Sequence, residues 1–141
     1  MDGIQCYIGI DPGTTTGVAV VDVMTKKYTL VTSTSILQAM EIIDGLTQTY
    51  QVKLFIENPN TWIPFRNSQN NANKLQGAGS IKRDYAIWLE YCKLRNIAFE
   101  PVTLHSAIKK IDAKRFALLT GYKGKTNSHG RDAAMMILKD I

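Results

Sequence analysis

The sequence predicts an α/β fold built on a mixed five-stranded sheet flanked by helices. Two patterns carry that expectation. Three short β-rich runs joined by tight turns open the chain, and short apolar runs then alternate with stretches of helical periodicity. Strands joined by turns pair antiparallel, whereas strands separated by a helix pair parallel, so this order gives a mixed sheet. The bulk numbers agree. A chain of 141 residues, 45% hydrophobic and 21% charged, has the length of one domain and the composition of one that folds.

The elements follow in order. Gln5 to Ile10 is a short apolar strand, and Gly17 to Val23 (GVAVVDV) is a second. A polar turn leads into a third at Tyr28 to Ser33. Ser35 is placed to cap a helix in which Ile36, Met40, Ile43 and Leu46 recur at helical spacing. Val52 to Ile56 reads as a buried strand ending at Glu57. Asn58 to Asn71 holds Pro59, Pro64, Trp62 and Phe65 without periodicity and reads as a loop, ordered by itself or by a ligand.

A long helix is expected over 73–95. One stripe runs through Leu75, Ala78, Ile81, Tyr85, Trp88 and Cys92, and a second through Ile87, Tyr91 and Leu94. A helix apolar on two sides must bury both, one against its sheet and one against a partner chain. Ile97 to Pro101 is the last strand. Ser106 to Gly121 carries one or two short helices with Lys109, Lys110, Lys114 and Arg115. Ser128 caps a final helix after the basic turn GYKGKTN. With no repeat, low-complexity tract or linker, residues 1–141 read as a single domain. The order β-β-β-α-β-α-β-α is the ribonuclease H-like architecture.

Composition narrows the function classes. Lys and Arg outnumber Asp and Glu 17 to 12, which permits a polyanionic partner without requiring one. The two cysteines, Cys6 and Cys92, sit in apolar surroundings without a CxxC pair, as in a reduced intracellular protein with buried thiols. The N-terminus has no basic, apolar leader pattern. No run approaches the ~20 apolar residues of a membrane span.

Three acids fall where an active site needs them. Asp11 ends the first strand, Glu57 ends the fourth, and Asp132 lies on the first turn of the last helix. In this strand order the first and fourth strands are neighbours, so Asp11 and Glu57 share one crevice and the last helix brings Asp132 to it. Crowded carboxylates repel unless a cation compensates them. Hard oxygen donors select Mg²⁺ or Mn²⁺. Two such ions about 4 Å apart activate a water and stabilise the leaving oxygen of a phosphodiester. His129, three residues before Asp132, faces the same way as a second-ion ligand or as the group that orients and deprotonates the water. Singly, each has a plainer role: Asp11 before Pro-Gly forms turns, and Asp132 complements a helix dipole.

These residues lie in motifs that span nearly the whole chain: IGIDPGTTTGVAV, LFIENP, NKLQGAGSIKRDYAIWLEY, PVTLHSAIKK with AKRF, and SHGRDAAMMIL. Together they resemble the RuvC family of Holliday-junction resolvases. The resemblance implies Asp11, Glu57 and Asp132 as metal ligands for two Mg²⁺ ions, with Mn²⁺ as substitute. His129 stands where many cellular members have a fourth Asp and phage-type members have His, which suggests an intracellular, cytoplasmic, phage- or mobile-element-type protein. Lys109, Lys110, Lys114 and Arg115 fall in the family's basic segment, where they would contact backbone phosphates. Trp62 and Phe65 are candidates for the aromatic that stacks at an opened junction. A homodimer through the 73–95 helix would set two sites on opposite strands of a four-way DNA junction, leaving paired nicks with 5′-phosphates.

Other readings of the same motifs remain. DPGTTTG is also similar to the first phosphate loop of sugar kinases and actin-like ATPases, but those resemble two such lobes and this chain holds one. The RuvC-like nuclease of ribosomal RNA maturation shares the opening motif and would cut RNA. A catalytically idle junction-binding protein would keep the fold without the convergence of acids.

Overall fold

A computed structural model describes residues 3–59, 71–104 and 108–141, with the backbone alone described over 71–78. Its elements are β1 (Cys6–Asp11), β2 (Thr16–Asp22), β3 (Lys27–Thr34), α1 (Ile36–Thr47), β4 (Val52–Glu57), α2 (Asn71–Arg95), β5 (Ala98–Val102), α3 (Ala113–Thr120) and α4 (Ser128–Met135), followed by a 3₁₀ turn at Leu138–Asp140. The expected α/β class is found. The five strands form one sheet in the order β3-β2-β1-β4-β5. β1 pairs antiparallel with β2 and β2 with β3, while β4 runs parallel to both β1 and β5.

Strand alternation divides the core into two layers. Cys6, Ile8 and Ile10 of β1, Val18 and Val20 of β2, and Val52, Leu54 and Ile56 of β4 point to one face. There they meet Ala39 and Ile43 of α1 and Tyr85, Trp88, Tyr91 and Cys92 of α2. Ala19, Val21, Tyr28, Val31, Phe55 and Val102 point to the other face, under Phe116 of α3 and Ala133 to Ile137 at the end of α4. Asp11 and Glu57 have the parity of the second face, as do Gly9 and Phe55.

α1 starts as its sequence directs. The Ser35 side chain accepts from the Gln38 amide, and the Gln38 side chain accepts from the Ser35 amide, a complete capping box. The last helix differs from expectation by one residue. Asn127, not Ser128, is the N-cap, and its Oδ1 accepts from Gly130 N at 2.9 Å. Ser128 is therefore the first helical residue, and Asp132 opens the second turn rather than lying on the first. Among its described residues the basic segment forms one helix, α3, capped by Asp112, which accepts from Arg115 N.

The two stripes expected on the long helix are redistributed. Tyr91 joins the inner core rather than an outer stripe, because its hydroxyl donates to Asp44 Oδ1 at 2.6 Å beside Arg95. Leu94 and, less fully, Ile81 and Ile87 are exposed. The side chains of Leu75 and Ala78 lie outside the described residues. Cys6 and Cys92 are both buried free thiols, as expected. Burial pushes the Cys92 thiol up to about 12 and raises that of Cys6. Among the described residues, no helix is long and apolar enough to cross a membrane.

α4 lies unusually close to the sheet, and two strand glycines, with Gly130 of the helix itself against the Thr32 backbone of β3, permit it. A Cβ on Gly9 of β1 would overlap the carbonyl oxygen of Ala133, and one on Gly17 of β2 would overlap that of His129. Both obstacles are helix backbone, which cannot rotate away as a side chain can. Gly9→Ala and Gly17→Ala should each lower the unfolding free energy by about 1–3 kcal/mol, the range for overpacking. Gly45→Ala is the control: it lies within α1 with nothing in reach of a Cβ, and should stabilise by roughly 0.5–1 kcal/mol. Urea titration of the three variants measures the contrast.

Candidate active site

The site is assembled by three backbone facts. Ile10 and Ile56 are partners across the parallel β1–β4 pair, so the next residues, Asp11 and Glu57, end neighbouring strands side by side. Gly17 is the β2 partner of Asp11, and its missing side chain lets the first turn of α4 cross directly over this point. The Asp11-Pro12-Gly13 turn is tied down by buried Thr16, whose hydroxyl donates to Gly13 O at 2.7 Å.

The side chains then find partners. His129 Nδ1 lies 3.1 Å from Asp11 Oδ2, and the histidine side chain is half exposed. Asp132 is buried and its Oδ1 accepts from the Lys110 amide at 2.7 Å. Lys109 Nζ lies 2.5 Å from Glu57 Oε2. Lys110 adopts φ 56°, a left-handed conformation that costs a non-glycine residue roughly 1–2 kcal/mol. That turn delivers one residue's amide to Asp132 and its neighbour's ammonium to Glu57. Arg131 pins the next residue, Nε donating to Ile111 O at 2.7 Å.

The electrostatics are those of a site short of positive charge. Burial, then the negative charge of Glu57, pushes Asp11 up to about 7, although the His129 hydrogen bond opposes the rise. Asp132 is raised by burial and by Glu57, against the Lys110 amide and the Lys109 charge. Asp11 thus senses Glu57, Asp132 and His129 together. The donor set, carboxylate oxygens with one imidazole, fits a hard divalent cation in chemistry and in charge. Among the described residues, however, no three of His, Cys, Asp and Glu stand close enough to enclose an ion.

The four expected site residues therefore occupy one neighbourhood. The expected phosphate-binding residues divide. Lys109 is turned inward onto Glu57, a role that its position in a basic stretch did not signal. Lys110 and Arg115 line a shallow depression, which Lys109 also borders, with Ile108, Asp112 and Leu119, and Lys114 is exposed. Trp62 and Phe65 lie outside the described residues. Gly9 and Gly17 are functional in the sense that they admit α4. The available signal was a glycine inside each of two strand patterns, which marks close backbone approach. No protein-family model and no curated protein sequence matches the chain.

Asp11 generates a pH dependence of known sign. Between the ordinary aspartate value of 3.8 and about 7, the folded chain keeps a proton that the unfolded chain has released. Stability contributed by this group is therefore lost as pH rises through that window. Asp11→Asn removes the titration. In EDTA the variant should melt several degrees above the parent at pH 8, with the gap closing toward pH 4. A gap that is constant with pH counts against the raised carboxyl.

Proposed function

We propose that the chain is a structure-selective endonuclease of ribonuclease H-like fold that cuts branched DNA, four-way junctions first among them, by metal-dependent phosphodiester hydrolysis. The observation that carries the reading is the adjacency of Asp11 and Glu57 at the ends of neighbouring parallel strands, beneath the helix that bears His129 and Asp132. The strand order, with β1 central between an antiparallel and a parallel neighbour, supports the fold assignment.

In this reading Asp11, Glu57 and Asp132 would hold Mg²⁺ or Mn²⁺, which would supply Lewis acidity toward the scissile phosphate. The chain's own residues do the rest. The Nδ1 contact to Asp11 fixes the His129 ring and leaves Nε2 as the nitrogen that takes a proton from the attacking water. The exposed cations Lys110, Lys114 and Arg115 lie on the approach from α3 and neutralise backbone phosphates, releasing counterions. Junction selectivity comes from shape, and a homodimer through the exposed side of α2 would pair the nicks on opposite strands. Ile81, Ile87 and Leu94 are the apolar residues available there.

The test is cleavage of a synthetic four-way junction against matched linear duplex in Mg²⁺ or Mn²⁺. The parent should place paired nicks across the junction, and Asp11→Asn should lower their rate by about a hundredfold or more, the scale of losing preorganised charge stabilisation. Junction binding without cleavage by the parent would make the chain a binding module. Cleavage of structured RNA without preference for junctions would move it to the RNA-processing class.

A further inference from the structure

Lys109 is set differently from the other basic residues of its segment. Its ammonium lies on Glu57 Oε2 at 2.5 Å, while its side chain keeps more than a third of its surface in solvent. The turn that presents it is held at the two residues that follow Lys109, by the Lys110 amide on Asp132 and by Arg131 on the Ile111 carbonyl. The ammonium is thus delivered to one carboxylate of the cluster by fixed backbone, at the place where positive charge is scarce.

We infer that the Lys109 ammonium is a stand-in for a divalent cation at Glu57, compensating that carboxylate in the metal-free protein and withdrawing when an ion takes it. The inference rests on the metal-dependent reading above. Three features support it. The ammonium engages an oxygen that an ion would need, so the two compete for it. A monovalent and a divalent cation on one carboxylate also repel each other, which adds to the competition. The lysine stem is flexible and partly exposed, so the ammonium has a path outward. Once withdrawn it stands at the mouth of the site, where a backbone phosphate arrives. Metal loading then turns an internal ion pair into a phosphate contact, and Lys109 serves in both states in succession.

The experiment is calorimetric titration of Mn²⁺ into the full chain without nucleic acid, for the parent, Lys109→Met, Lys109→Arg and Lys27→Met. Lys27 lies across the β2–β3 ladder from Asp22, at the opposite end of the sheet, so Lys27→Met removes the same charge far from the site. Lys109→Met should bind Mn²⁺ about threefold to fivefold more tightly than the parent, the scale of a released, partly screened ion pair. Its Mn²⁺-induced rise in Tm should be correspondingly larger. Lys109→Arg, which can still pair, should stay within about twofold of the parent, and Lys27→Met should be unchanged. Lys109→Gln repeats the comparison if the Met variant does not fold. Unchanged or weaker binding by the neutral variants, with the parent binding normally, overturns the stand-in and leaves the metal-dependent reading intact. Equal tightening by Lys27→Met overturns it too, because the effect would then be one of net charge. If neither the parent nor Lys109→Met binds Mn²⁺ or gains Tm at millimolar concentration, the metal-dependent reading fails and the inference falls with it.

Discussion

The contact of α4 with β1 and β2 is the constraint on which the rest of the molecule depends. It is made by backbone against backbone, at Gly9 beneath Ala133 and Gly17 beneath His129. Side-chain packing between a helix and a sheet normally leaves a layer of side chains between them, because residues with a Cβ hold the two apart. Here that layer is absent along one line. The same line ends at Asp11, so the closeness of the helix and the crowding of the acids are one fact seen twice. The buried hydroxyl of Tyr28 locks the far end of the helix, donating to Ala134 O at 2.6 Å.

Such crowding has an electrostatic cost, and the fold distributes the compensation. Asp11 has an imidazole, Asp132 a main-chain amide and Glu57 an ammonium. None of the three partners is equivalent to another. The imidazole turns only about two side-chain torsions, the amide is fixed, and the ammonium is mobile on a stem of four methylenes. The carboxylate with the fixed partner is the most buried, while the imidazole and the ammonium both have access to solvent. That ordering follows from the chain path: α4 carries Asp132 inward, and the turn before α3 passes over the outer side of Glu57.

Much of this was legible in the sequence, for a physical reason. The side-chain period of two along β1 and β4 lets the faces of Asp11 and Glu57 follow from counting, and helix periodicity with Ser35 before it defines the start of α1. What was not legible depends on backbone conformation rather than residue type. Asn127 and Ser128 are both good N-caps, and the choice between them lies in which one takes the extended conformation. Lys110 holds a left-handed conformation without being Gly or Asn, so nothing in the string announces the turn that carries Lys109 inward. Tyr91 sits at a helical position shared with exposed Leu94, and it was drawn into the core by its hydrogen bond to Asp44, a residue from another helix.

The two thiols have a consequence of a practical kind. Cys6 and Cys92 are the chain's only cysteines, both are buried, and burial keeps both protonated at neutral pH. A thiol reacts through its thiolate, so alkylating probes have no native target on the folded chain. A single cysteine placed at an exposed position such as Leu94 becomes the sole reactive sulfur of the molecule. The natural sequence therefore accepts a fluorophore or spin label on the outer side of α2 without first removing a residue of its own, and with the core left as it is.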